Sequence, residues 1–239
     1  MTVRLHINVD HVATLRNARG TAYPDPVRGA EQCLGAGADG ITAHLREDRR
    51  HIRDDDVERL RAMCARAGRT FNLEMAATDE MVAIARRVKP DVCTLVPERR
   101  EERTTEGGLD VIAGGAGLER RVAALRSAGI RVSLFIAASP EQIARMRAID
   151  AAQVELHTGE YAHGRAGELA RLAEGAALAR SMGLEVAAGH GLTQDNVPAL
   201  MAIPEIVELN IGHAVVSDAV FAGLAEAVKA FRRAIEKGG

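Results

Sequence analysis

The chain has 239 residues, 47% of them apolar and 27% charged, with a formal net charge of −2. This balance lacks the basic footprint of a nucleic-acid binder or a membrane-surface helix, no run approaches about 18 uninterrupted apolar residues, and the start has no basic-then-apolar leader pattern. Small-molecule partners are expected, and cysteines at 33, 64 and 93, odd in number and widely spaced, predict reduced thiols in a cytoplasmic protein.

Short apolar runs alternate with amphipathic segments of ten residues or more, the pattern of βα units on a parallel sheet. A first strand is expected over residues 4–9, then a loop over 10–23 carrying Arg16 and Arg19. Asp25 N-caps a helix with Pro26 in its first position, ending at Gly35 or Gly37. The second strand, 40–45, is a short apolar run in which His44 is the only ionisable group, as in a strand buried on both faces. A helix over about 55–67 places Val57, Leu60, Cys64 and Ala67 on one stripe. A strand over 70–75 follows, then a helix with Met81, Ile84, Ala85 and Val88 inward, stopped by Pro90. The fourth strand, 91–96, ends at Pro97 and Glu98, and a charged loop over 99–108 leads to a helix over 118–128 and a fifth strand over 130–136. Ser139, with Gln142 three positions later, has the form of a capping box. The sixth strand covers 152–157, a helix over 165–182 turns Leu169, Leu172, Ala173 and Ala176 inward, and the seventh strand covers 184–188. A helix from about 194, a strand over 205–210 and a closing helix over 217–236, with Val220, Leu224, Val228, Phe231 and Ile235 on one face, complete the chain.

Eight strands and eight helices in alternation, with no Pro- or Ser-rich linker, predict one (β/α)8 TIM barrel domain over 1–239. The rival, a doubly wound open sheet, would place Gly-x-Gly-x-x-Gly after the first strand, and the sequence has neither that nor a Gly-x-x-x-x-Gly-Lys-Ser/Thr loop.

Polar residues recur where the strands end: Asn8, Asp10 and His11; His44; Glu74; Glu155 and His157; His190; Asn210 and His213. In a barrel the carboxyl ends of all strands point to one mouth, so these residues are expected to share a pocket. Loops at 188–193 and 210–214, each with a Gly-His pair or its reverse, follow strands seven and eight, the usual phosphate position of the fold, where glycine lets backbone N–H groups approach an oxyanion. A second anion site is suggested by Arg16, Arg19, Arg46, Arg49, Arg50 and residues 104–108; some of these arginines must be surface groups, and Arg46, two residues past His44, has the best claim. His44, His190 and His213 titrate near neutrality unaided, and Glu74 or Glu155 would if desolvated. No His-x-His or His-Glu-x-x-His is present, so no metal is expected; His6 and His163 are bystanders. Three functions stay open on these residues: a synthase, a metal-dependent hydrolase, and a phosphosugar-binding protein without turnover.

The motifs NVDHVATLRNARG at 8–20, HLREDRRH at 44–51, NLEM at 72–75, TTEGGLD at 104–110, ELHTG at 155–159, AGHGL at 188–192 and ELNIGHA at 208–214 together resemble the pyridoxine 5′-phosphate synthase family. The resemblance implies a cofactor-independent, transferase-class ring closure that condenses 3-amino-2-oxopropyl phosphate with 1-deoxy-D-xylulose 5-phosphate, giving pyridoxine 5′-phosphate, phosphate and water. It makes His44 and Glu74 proton acceptors, His190 the proton donor and Glu155 a transition-state stabiliser. It also implies that Asn8, Gly191, Gly212 and His213 hold the aminoketone phosphate, and that Asp10, His11, Arg19, Arg46, His51 and Thr104 hold or flank the sugar phosphate. A barrel with extra helices, assembled as a homo-octamer, follows from the same resemblance. One departure is Ala137-Ala138, where the family has an Asp after Phe-Ile of strand five, which puts any supporting role there in doubt.

Overall fold

The computed structural model describes residues 3–98 and 107–239. Its eight strands are β1 (Arg4–Asn8), β2 (Gly40–His44), β3 (Thr70–Ala76), β4 (Val92–Val96), β5 (Arg131–Ile136), β6 (Gln153–His157), β7 (Glu185–Gly189) and β8 (Ile206–Ile211). All pair in parallel in chain order, and β8 returns to β1 through Leu5↔Leu209 and Ile7↔Ile211, closing the barrel. Closure leaves no open sheet edge.

Eleven helices accompany the strands among the described residues: α1 (Asp10–Arg19), α2 (Pro26–Gly35), α3 (Asp54–Ala67), α4 (Asp79–Val88), α5 (Val111–Ser127), α6 (Pro140–Ile149), α7 (Gly159–Ala162), α8 (Glu168–Ser181), α9 (Val197–Leu200), α10 (His213–Ala222) and α11 (Leu224–Gly238). The expected barrel is present, with three more helices than the alternation pattern predicts. Asp25 caps α2 by accepting the Val27 N–H at 3.1 Å, with Pro26 in the first helical position as expected.

Four local expectations are corrected. The segment after β1 is a helix, because Val12, Ala13 and Arg16 bury at helical spacing and Gly20, at φ 73°, returns its N–H to the carbonyls of Arg16 and Asn17. The capping box at Ser139 does not form: Gln142 instead accepts the Val111 N–H at 2.8 Å and donates to Asp110 at 3.0 Å, serving the start of α5. Helix α5 starts earlier than residue 118 and bends at Gly115 (φ 46°, ψ −144°). The closing helix breaks at Gly223 (φ 83°), so that Leu224, Val228, Phe231 and Ile235 face inward while Val220 is 69% exposed.

The barrel interior is polar, contrary to the fully apolar strands that burial on both faces suggests. Along each strand the apolar residues, such as Leu5, Ile7, Ile41, Leu73, Val154 and Leu156, belong to the core packed under the helices. The alternate positions, including Thr42, Asn72, Thr94, Gln153, Glu155, Glu208 and Asn210, are equally buried but bond across the lumen. Thr94 donates to Asn72, Asn72 to Thr42, Thr42 to Asn210 and Asn210 to Glu155, over 2.8–3.4 Å. Because Thr42–Asn210 bridges β2 and β8, with β1 between them, this chain of bonds runs inside the barrel. A buried polar group without a partner costs on the order of 1–3 kcal/mol, and the chain satisfies its members jointly. The three cysteines are buried, and burial raises all three thiols.

Candidate active site

A pocket of about 570 Å³ opens at the carboxyl ends of the strands. Asn8, Asp10, His11, His44, Arg46, His51, Glu74, Glu155, His190, Gly191, Gly212 and His213, all expected in the site, line it. Asn210, Thr14, Arg50, Phe135 and Thr193 line it too. Thr104 lies outside the described residues. The structure does not bring Arg19 into this pocket; it is exposed at the last turn of α1.

Register explains the gathering. His44 ends β2 and is paired with Glu74 on β3, so consecutive strands deliver an imidazole and a carboxylate side by side. Asp10, at the start of α1, accepts the His44 backbone N–H at 2.8 Å, and Asn8 accepts the Asp10 N–H at 2.8 Å. Asn8 also donates to Glu74 at 3.3 Å. Donor atoms of Asp10, His44 and Glu74 lie within 4.8 Å of one another, a spacing that would admit a cation and that residues drawn singly from separate strands did not announce.

The electrostatics follow from burial. Glu74 is pushed well above the usual carboxyl range, chiefly by desolvation and then by repulsion from Glu155 and Asp10, with the Asn8 hydrogen bond opposing. Glu155 is raised to about 8 by desolvation and by Glu208, against the hydrogen bond from Asn210. Two carboxyls so placed resist being ionised together near neutrality. His11 and His51 are lowered, in each case first by burial; the His213 charge adds to this at His11, and His44 and Arg46 add to it at His51.

On the opposite arc, Gly189 on β7 leaves room for Glu155: a Cβ there would come within 2.3 Å of its Oε1. His190 follows with φ 86°, a region side chains rarely enter, and the Thr158 hydroxyl reaches its carbonyl at 2.6 Å. His190 stacks on His157, ring centroids 5.0 Å apart; burial and the His190 charge lower His157 to about 4. Gly212 precedes α10, whose first residues His213 and Ala214 present a helix N-terminus to the pocket, as an oxyanion requires. His11 and His213 meet edge to face at 4.9 Å.

The arginines divide. Arg46 is 2% exposed and lines the pocket, as does Arg50, which also pairs with Asp48. Arg16, expected among the anion-binding candidates, is instead buried against Asp56 with two 2.7 Å bonds and donates to the His51 carbonyl at 3.0 Å. Arg49 pairs with Asp54 and Glu80. Sequence reasoning missed Glu98, Phe135 and Thr158. Glu98 stands just past β4, the position that singled out the other strand ends, and the same rule would have found it.

Residues 5–237 match the family model described as pyridoxal phosphate biosynthesis protein PdxJ. The chain is 58% identical to the pyridoxine 5′-phosphate synthase of Xanthobacter autotrophicus, over 99% of this chain and 94% of that one. It is 55% identical to the same-named protein of Caulobacter vibrioides (99% and 96% covered) and 54% to that of Gluconobacter oxydans (98% and 99%). Among solved structures it is similar in fold to thiamine phosphate pyrophosphorylase from Pyrococcus furiosus, with TM-score 0.66, 16% identity and 99% and 96% of the two chains covered. A 3-hexulose-6-phosphate synthase gives TM-score 0.65 at 18% identity, with 97% and 99% covered. These structural likenesses speak for the barrel alone. The sequence matches, spanning nearly the whole chain, show that it belongs to the PdxJ family of pyridoxal phosphate biosynthesis proteins.

Proposed function

We propose that the chain, acting as one catalytic domain, is a pyridoxine 5′-phosphate synthase that condenses 3-amino-2-oxopropyl phosphate with 1-deoxy-D-xylulose 5-phosphate into pyridoxine 5′-phosphate, phosphate and water. The observation that carries this reading is that His44, Glu74, Glu155 and His190 line the same pocket as Arg46 and His51 after β2 and as Gly191, Gly212 and His213 after β7 and β8, groups suited to two separate anions. Two phosphorylated substrates need two such sets. Asn8, Gly191, Gly212 and His213, with the α10 N-terminus, suit the aminoketone phosphate. Asp10, His11, Arg46 and His51 suit the sugar phosphate; Thr104 and Arg19 belong to the proposal by resemblance only.

The chemistry then divides among the acid–base groups. Joining amine to ketone as a Schiff base expels water, so a hydroxyl must be protonated while a proton leaves nitrogen; the later eliminations and ring closure move further protons. Glu74 and His44 take protons, and His190 returns one to a leaving oxygen. Because Glu74 and Glu155 resist joint ionisation, a proton held on Glu155 makes that residue a hydrogen-bond donor to developing negative charge and leaves Glu74 the carboxylate that accepts one. Each positioned acid or base supplies on the order of 10²- to 10⁴-fold in rate. No step calls for a cofactor.

The test is incubation with both phosphates. A synthase releases inorganic phosphate only when both are present; release from one alone, or binding without release, would refute the reading. The spacing of Asp10, His44 and Glu74 favours one competitor, a metal-dependent hydrolase. Stoichiometric metal that turnover requires would select it. A homo-octamer and a cytoplasmic location belong to the same proposal. Exposed Phe221 (92%), Tyr23 (78%) and Val220 (69%) support assembly, and no helix among the described residues is long and apolar enough to cross a membrane. Light scattering at a mass other than eight chains would remove the octamer.

A further inference from the structure

Glu98 lies two residues past the end of β4 with its side chain 6% exposed. Its Oε1 is 2.7 Å from His44 Nε2 and accepts the Ala76 N–H at 3.2 Å; its Oε2 accepts the Glu47 N–H at 3.1 Å. Burial raises this carboxyl, but the hydrogen bond and charge of His44, the Glu47 N–H and the Arg46 charge outweigh it and hold it below the usual range. An ionised carboxylate has only lone pairs to offer, so the hydrogen shared with His44 resides on Nε2. Whenever the ring is neutral, its lone pair is then on Nδ1. Around the ring stand Asp10 at the start of α1, Glu74 on β3, and Arg46 and His51 after β2. Asp10 is engaged by the His44 backbone N–H and Glu74 by Asn8, so Glu98 is the carboxylate that the imidazole itself engages.

We propose that Glu98 is a positioning residue for the reaction: by accepting the Nε2–H of His44 it fixes the ring tautomer and orientation that leave Nδ1 as the base. In the step concerned, the substrate bond to hydrogen breaks, its electron pair stays on the substrate, and the proton enters the Nδ1 lone pair. The imidazolium so formed keeps its Nε2–H on Glu98. A carboxylate paired with one ring nitrogen serves in this way wherever a histidine must act as base from a single tautomer. The link to turnover rests on the synthase reading above; the hydrogen bond itself does not.

Glu98 also ties together the ends of β2, β3 and β4, so a loss of activity alone would not separate positioning from scaffolding. The experiment therefore combines kinetics of Glu98→Gln with ring-nitrogen NMR of the 15N-histidine-labelled full chain, His44 being assigned through His44→Asn. The expected result is an Nε2–H tautomer at His44 in the wild type. In E98Q it is lost or mixed, kcat falls at least about 100-fold, and KM for each phosphate stays within about threefold. An E98A variant should regain part of its kcat on adding formate, whose carboxylate fits the vacated space. A wild-type Nδ1–H tautomer would overturn the proposal even if no variant folds. So would wild-type kcat in E98Q, or a fall in kcat with unchanged His44 ring signals. A wild type that releases no phosphate from both substrates yet shows the Nε2–H tautomer would overturn the synthase reading, and with it the role of Glu98 in turnover, while leaving the pair standing.

Discussion

Glu155 is buried at the floor of the pocket, accepts a 2.8 Å hydrogen bond from Asn210, and is raised to about 8. An unfolded Glu titrates near 4.3, so between about pH 4.5 and 8 the folded chain holds a proton that the unfolded chain has lost. Stability from this group is therefore fully present below the unfolded value and is lost as pH rises through the folded one. Glu155→Gln keeps the acceptor for Asn210 and removes the ionisation. Its unfolding midpoint should exceed that of the wild type by on the order of 10 °C at pH 9 and converge with it below about pH 4, while turnover falls at least about 100-fold. Calorimetry at the two pH values checks this, and equal midpoints at pH 9 would contradict it. Gly189 answers the same carboxyl sterically, since a Cβ would meet Glu155 Oε1 at 2.3 Å. Gly189→Ala should displace Glu155 and lower kcat at least about tenfold, visible in steady-state kinetics. At this scale the histidines and glutamates that line the pocket were legible because a polar residue ending an apolar strand is conspicuous. Glu98, just past β4, obeys the same rule, but what the sequence does not show is that it turns in to His44 while its charged loop neighbours are solvated.

Helix α1 shows what an element adds. Its arginines read as loop cations, yet Arg16 is 4% exposed and forks onto Asp56 of α3, with a third bond to the His51 carbonyl. The helix thus clamps the loop after β2 that brings Arg46 and His51 to the pocket. Lysine cannot reproduce a fork, so Arg16→Lys should cost about 3 kcal/mol in denaturant unfolding and raise KM for the sugar phosphate more than it lowers kcat. An unchanged KM with lowered stability would limit Arg16 to holding the fold. The apolar stripes of α3 and α4 were readable from spacing, and most of their members are buried, though Ala67 faces solvent where Met63 was not anticipated. The Ser139 capping box failed because Gln142 has a tertiary partner, the start of α5, that local spacing cannot reveal. Beside Ala137-Ala138 the chain packs backbone to backbone: Leu109 donates to the Phe135 carbonyl at 2.7 Å, and Gly108 passes so close to Ile136 and Ala137 that a Cβ on it would overlap their backbone. Nothing in the structure explains why alanine stands where the family has Asp.

Across the whole molecule, α11 joins the chain's end to its beginning. Phe231 and Val228 are fully buried, and Arg232 donates to the carbonyls of Gly37 and Val3, beside the seam where β8 meets β1. Phe231→Ala should therefore destabilise the fold by about 3–5 kcal/mol in denaturant melts, with kcat per folded molecule little changed, since the residue lies away from the pocket. A cost under about 1 kcal/mol would mean that α11 is not needed for closure. The alternation of apolar and amphipathic segments, the polar strand ends and the family motifs are local patterns, and they were enough to determine the barrel, its order and many of the residues that line its mouth. Tertiary structure alone decided which arginines face the pocket and which carboxylate holds His44. It also produced the bonded chain from Thr94 to Glu155, because such choices depend on which groups burial brings within hydrogen-bond reach across strands that lie far apart in the sequence.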